Sequence, residues 1–454
     1  MTRNSMSDEM FSFLCDELRK NNHIDPDQFS KYDVKRGLRN ADGSGVRAGL
    51  TRICNVHGYV ISEGEKIPDK GKLTYRGYDV NDLVNDCIEN DRFGYEETVW
   101  LLLFGQLPTQ EQLSTFRALL SECRKLPDYF AEDMIIKAPS PNVMNKLQRS
   151  VLALYSYDPN PDDLSLDNVL RQSVELIARL PAIISYAYQV KRHQYDHQTM
   201  FFHPDKEGLS TSESILHIIR DDSKFTHEEA MLLDLCLMLH AEHGGGNNST
   251  FTTRVLSSSG TDTYSAIAGA IGSLKGHRHG GANIKTNQML EYIKAGVHDW
   301  YDDEEISAFL TAIMEKRAGD GSGLVYGMGH AIYTQSDPRA VILKKNAYDL
   351  AVKKGFGDEF RLLDAVERLT PAVFNASKHQ PKALCANVDL YSGLVYRALG
   401  ISPDLFTPLF AVARMAGWCA HRIEELMTSS RIIRPAYKAL SKERPYLPLQ
   451  QRDV

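Results

Sequence analysis

A mainly helical, multi-domain chain with one small β-hairpin near its beginning is the architecture this sequence predicts. Three observations carry that reading. Apolar residues recur at helical spacing through most of the chain, only residues 46–78 alternate in the manner of strands, and 454 residues exceed what one small core can use. Length alone points to roughly two to three domains.

Helical periodicity predicts helices over 10–20, 96–103, 110–123, 147–155, 167–188, 211–219, 226–240, 261–274, 284–295, 304–318, 338–354, 358–370, 392–399, 403–428 and 435–440. Several carry recognisable ends: Asp167 and Thr226 as N-caps, Pro338 and Pro403 in a first turn, Gly105 and Gly400 just past a last one. In the β-region, residues 51–60 and 73–75 flank a polar 63–71 turn, which predicts a small sheet or hairpin. Residues 231–239 and 266–274 are apolar on nearly every side, so both read as buried helices, and both run into histidine-bearing segments.

Composition narrows the function. A net charge of −7 argues against a nucleic-acid partner, while leaving room for an anionic small ligand held by a few local arginines. The seven cysteines are scattered singly, the pattern of reduced thiols in a cytoplasmic protein, and neither a secretory leader nor a membrane span is expected.

Five stretches gather the chemistry: Leu239–His243, Gly276–Asn283, Gly327–Ala331 with Asp337–Arg339, Asn387–Asp389 and Arg431–Pro435. Each sets a His, Asp or Arg beside glycines or at an element end, where a side chain can approach a ligand closely. His240 and His243 read either as core histidines near a helix C-terminus, where a cation is favoured, or as a metal pair, for which no third ligand follows. His279 and His330 each lie in glycine-rich turns. Asp389 is either an N-cap or a general base whose pKa follows the dryness of its pocket. The glycines at 319, 321 and 323 lack the strand and the Gly-Lys-Ser/Thr of a phosphate loop.

These motifs, in this order, resemble the citrate synthases: Leu-His-Ala-Glu-His, Ser-Leu-Lys-Gly followed by His-Gly-Gly-Ala-Asn, Gly-Met-Gly-His-Ala with Asp-Pro-Arg-Ala, Asn-Val-Asp with Tyr-Ser-Gly, and Arg-Ile-Ile-Arg-Pro. Upstream, 73–78 and 101–108 are similar too, so the likeness covers about residues 46–440. It implies a two-domain helical fold: an extension at 1–45, a large domain at 46–281 and 395–454, and a small mobile domain at 282–394. It also implies condensation of acetyl-CoA with oxaloacetate by a homodimer or dimer-based oligomer, without cofactor or metal.

By motif match, Asp389 is the α-proton base, His279 stabilises the enol, and His330 polarises the ketone. His243, Arg339, Arg414 and Arg434 bind the dicarboxylate, with Arg434 reaching in from a neighbouring subunit, and Lys382 lies near the CoA phosphates. Thr334 stands where some members hold a CoA-binding arginine, and Ala331 and Gly244 also depart from common family residues. The competing readings are a 2-methylcitrate synthase using propionyl-CoA and a non-catalytic binder of CoA or dicarboxylates.

Overall fold

The computed structural model describes residues 8–40, 42–376, 383–428 and 431–452. They fold as two compact units: residues 49–433, and the two chain ends, 1–48 with 434–454, which pack together as the second.

In the terminal unit, a helix Asp8–Asn21 and a short helix Asp27–Lys31 accompany a tail whose one regular piece among the described residues is a single turn at Leu449–Gln451. The helix expected at 435–440 is not formed; that segment has no regular secondary structure and is exposed, so no packing of an apolar stripe supports a short helix there.

The 49–433 unit is helical around one core, with a three-stranded antiparallel sheet at its beginning. Its hairpin pairs Cys54–Ser62 with Glu65–Tyr75. The turn is therefore Glu63–Gly64 alone, and most of the stretch expected to be a 63–71 turn is strand. Two helices match the periodicity to the residue, Gln110–Cys123 and Thr211–Ile219, each fixed by a capping box. A third box caps His227–His240, where Thr226 and Glu229 exchange bonds. Asp167 is not an N-cap: the helix Leu166–Asp196 begins one residue earlier behind Ser165, leaving Asp167 in the first turn. Asp337, ahead of Pro338, accepts the Arg339 N–H and caps Pro338–Lys353.

Helix Phe406–Thr428 is the spine of the unit. It packs against Leu166–Asp196, Asn248–Ser258, Tyr95–Phe104, His227–His240 and Thr263–Lys275. Nearly every residue from 405 to 422 is buried, yet the run contains Arg414, Trp418, His421 and Arg422. These polar groups lie on successive turns of one helix, so each needs a partner from a neighbour.

The hairpin is cinched to residues 332–336. A Cβ at Gly71 would stand 1.9 Å from the Ser336 carbonyl oxygen, and one at Gly58 would stand 2.7 Å from Tyr333 Cα, so only glycine permits the approach. Thr334 Oγ1 donates to the Gly58 carbonyl and accepts the Asp69 N–H at 3.2 Å; Ser336 Oγ accepts the Gly71 N–H at 3.2 Å.

Candidate active site

Helix His227–His240 delivers the first imidazoles. Its apolar shaft is held at the end by Tyr75, whose hydroxyl donates to the Met238 carbonyl at 3.0 Å. His240 is the last helical residue, and His243 follows in a turn closed by Gly244 at φ +87°. The two do not share a helical face, and neither is a helix-end cation. Burial pushes both well below the usual imidazole range, and Arg339 and Arg414 push in the same direction.

His243 Nε2 lies 3.3 Å from the Tyr333 hydroxyl. Its ring meets His330 edge-on at 5.0 Å, and His330 stacks on Tyr333 at 4.6 Å. His330 Nδ1 accepts two backbone N–H groups, from Ile332 at 3.1 Å and Tyr333 at 3.0 Å. A nitrogen accepting twice carries no proton, so the neutral ring is protonated on Nε2, and that is its donor.

The chain around His330 is tied to the chain around Asp389. Met328 and Ala386 form a β-bridge, the Gly329 N–H donates to the Cys385 carbonyl at 2.7 Å, and Asn387 Nδ2 donates to the Gly329 carbonyl at 2.9 Å. Asn387 Oδ1 then accepts the Asp389 N–H at 3.0 Å. Asp389 opens helix Asp389–Ala398 as its first residue and is not the cap. Desolvation pushes its carboxyl up to about 6, with Arg339 opposing, Asp337 reinforcing and Arg414 opposing.

His279 sits in the turn after Thr263–Lys275, fixed by the Gly280 N–H donating to the Leu274 carbonyl and by Thr407 Oγ1 donating to the Gly280 carbonyl, both at 2.9 Å. Its Nε2 is 3.0 Å from Ser249 Oγ, which accepts from Trp418 Nε1 at 3.2 Å and has Asn247 Oδ1 at 2.9 Å. The serine has one proton for two acceptors. If it goes to His279 Nε2, the imidazole proton is on Nδ1. Desolvation, then Arg414, hold His279 at about 4, so the ring is neutral at ordinary pH.

Two guanidiniums are buried here. Arg339 is clamped in a fork by Asp337, Nε to Oδ1 at 3.0 Å and Nη2 to Oδ2 at 2.7 Å. Arg414 spends only Nε, on the His240 carbonyl at 2.7 Å, and lies over the Phe410 ring at 4.7 Å. Both of its terminal nitrogens are buried without a hydrogen-bond partner among the described residues. Such a group is costly unless something binds it, and two adjacent N–H donors suit a carboxylate.

Of the residues expected in the site, His243, His330, Arg339, Arg414, Asp389 and His279 all lie in the 49–433 unit. Arg434 is exposed and belongs to the terminal unit. Lys382 falls outside the described residues. Thr334, standing where some members hold an arginine, is engaged by the hairpin. Sequence reasoning missed Tyr75, Tyr333 and Ser249, and also a buried relay. In that relay Arg254 Nε donates to His421 Nδ1 at 3.0 Å, His421 Nε2 donates to Glu242 Oε1 at 3.0 Å, and Arg254 also reaches Glu425 at 2.8 Å and Glu424. The available signal was the polar stripe on the otherwise apolar helix 406–428.

Residues 41–436 match the family model described as "Citrate synthase, C-terminal domain". A 2-methylcitrate synthase 1 of Corynebacterium glutamicum is 31% identical over 90% of this chain and 99% of its own length. A citrate synthase of Haloferax volcanii is 34% identical over 92% and 99%. The solved citrate synthase of Thermoplasma acidophilum, a ternary complex with carboxymethyl coenzyme A and oxaloacetate, superposes with a TM-score of 0.75 at 26% identity, covering 92% of this chain and 99% of that one. With its matched length and its motifs in order, this chain belongs to the citrate synthase family.

Proposed function

We propose that the protein condenses acetyl-CoA with oxaloacetate and water to give citrate and CoA. One observation carries the reading: two neutral imidazoles, a carboxyl pushed up to about 6 and two buried guanidiniums gathered in one unit. A thioester α-proton is weakly acidic, so its removal needs a positioned carboxylate and a donor where negative charge develops. Asp389 is that base. His279 donates from Nδ1 to the enol oxygen, which requires Ser249 to give its proton to Nε2. His330, protonated on Nε2, polarises the ketone, and the enol carbon attacks it. Water then hydrolyses the citryl thioester and releases CoA.

Arg414 offers its open fork to one carboxylate of oxaloacetate, while Arg339 and His243 complete the binding. Arg434 is contributed by a second copy, which makes the working form a homodimer, and closure of residues 282–394 over the ligands excludes water. Sedimentation of the full chain tests the first. Solution scattering with and without oxaloacetate and CoA tests the second, and an unchanged radius of gyration counts against closure. Lys382 meets the CoA phosphates. The reaction takes place in the cytoplasm and draws on no metal or cofactor.

A second reading, 2-methylcitrate synthesis from propionyl-CoA, is favoured by the Corynebacterium relative, and one methylene in a pocket separates substrates by only about 1–3 kcal/mol. Free-thiol release from acetyl-CoA and propionyl-CoA, each with and without oxaloacetate and with a chelator present, decides. Oxaloacetate-dependent release favouring acetyl-CoA is expected. Preference for propionyl-CoA moves the assignment, and silence from both in a folded sample reduces the site to a binder.

A further inference from the structure

Arg339 has its own counterion, Asp337, held in a two-bond fork. Arg414 has no such partner among the described residues, yet a second buried carboxylate lies against the same helix. Glu242 is fully buried, two residues past His240, whose carbonyl accepts from Arg414 Nε. Its Oε1 is committed twice, to the Gly244 N–H at 2.5 Å and to His421 Nε2 at 3.0 Å. Its Oε2 is buried with no hydrogen-bond partner among the described residues. That oxygen lies against helix 406–428: a Cβ at Gly417 would stand 2.1 Å from it. Gly417 is three residues on from Arg414, one turn along the helix, so the bare oxygen faces the stretch of helix that carries the open guanidinium.

We infer that Glu242 is a positioning residue that acts through Arg414. Its charge is the internal counterion of the open guanidinium, and it sets how tightly the site holds a dicarboxylate. The site then carries two balanced charges, Arg339 in its fork with Asp337 and Arg414 facing Glu242 without a direct bond, beside neutral imidazoles. Opposite buried charges stabilise each other without a direct bond, and the incoming carboxylate must share Arg414 with the resident one. The ordinary shifts agree. Burial works to raise the Glu242 carboxyl, yet His421, Arg414 and the Gly244 N–H hold it below its usual value. Burial lowers Arg414, and Glu242 opposes that. Such balance keeps the site from becoming a trap for its own anionic product.

This inference rests on the dicarboxylate reading above. The test is calorimetric titration of oxaloacetate into the full-length protein, wild type and Glu242→Gln, with steady-state KM for both substrates. The amide retains an acceptor for His421 and Gly244 while removing the charge. At least threefold tighter oxaloacetate binding is expected, with a parallel fall in its KM and the KM for acyl-CoA within twofold. A merely structural role predicts the opposite sign, so unchanged or weaker binding by folded Glu242→Gln overturns the inference and leaves the dicarboxylate reading standing. Wild type that fails to bind oxaloacetate overturns both. If Glu242→Gln does not fold, Glu242→Asp carries the decision, because the charge stays and only its reach shortens. Affinity within twofold of wild type is then expected, and a tenfold loss overturns the inference.

Discussion

The two halves of the site are built on different plans. Around His243, Arg339 and Arg414 the side chains are almost wholly buried, and stacked or ion-paired, with both arginines seated on long helices. Around His279 and Asp389 the groups sit at element ends, half-buried, and each is held by one or two bonds. On the function proposed above, the contrast separates binding from chemistry: the first half is preorganised to take a compact dianion, and the second keeps its reactive groups where a larger co-substrate can reach them. It also explains why burial silences the cationic form of the histidines in both halves but leaves Asp389 poised near 6.

Breaking the reactive half should have the largest effect. Asp389→Ala is expected to lower turnover by about 10²–10⁴-fold while oxaloacetate affinity, read by calorimetry, stays within twofold. Loss of oxaloacetate binding would erase the division between the halves. In the buried half, Arg414→Met should weaken oxaloacetate by about 2–5 kcal/mol with a smaller loss of fold, since Glu242 keeps its bonds to His421 and the Gly244 N–H. Arg339→Met should instead lower the thermal midpoint as well, because it leaves Asp337 buried and unpaired, at about 3–5 kcal/mol. Equal destabilisation by the two substitutions would show that the forks are not different in kind.

Smaller effects sharpen the picture. Ser249→Ala removes the proton that, in the proposed mechanism, places His279 in its Nδ1–H form, so turnover should fall by about 10- to 100-fold, the low end of what a positioned donor contributes, with the KM for oxaloacetate unmoved. The pH profile of kcat/KM should rise through about 6 as Asp389 loses its proton, and then level off, with His279, near 4, already neutral across that range. Asp389→Glu is the natural control, and a profile whose acid limb ignores that substitution would assign the titration elsewhere. Tyr333→Phe, losing one contact at 3.3 Å, should cost about 1 kcal/mol of oxaloacetate affinity.

Where local signals agreed with packing, the sequence was readable. Helical periodicity, with Thr226 read as a cap, located the helices at 110–123, 211–219 and 226–240, and a capping box fixes each of them in the structure. Helix Asn248–Ser258 escaped because Asn-Ser-Thr-Phe-Thr-Thr-Arg is rich in turn-forming and β-branched residues; burial between helices 263–275 and 406–428 overrides that poor propensity. The reverse failure is 435–440, where the helical pattern stays exposed and forms no helix. In the site, glycine neighbours exposed the histidines and Asp389 to view. Tyr333, Ser249 and Glu242 stayed hidden because their meaning lies in partners 90, 30 and 179 positions away.

The clasp between hairpin and loop has a consequence for how the molecule is made. The seat of the His330 segment is formed by residues 265 positions earlier, and the helix that completes the pocket ends at Thr428. A chain leaving the ribosome therefore carries its hairpin unpaired with its loop until most of the protein has been synthesised. Contacts of such long sequence separation close slowly. Activity should thus appear as one of the last properties a refolding sample regains, well after its helices have formed.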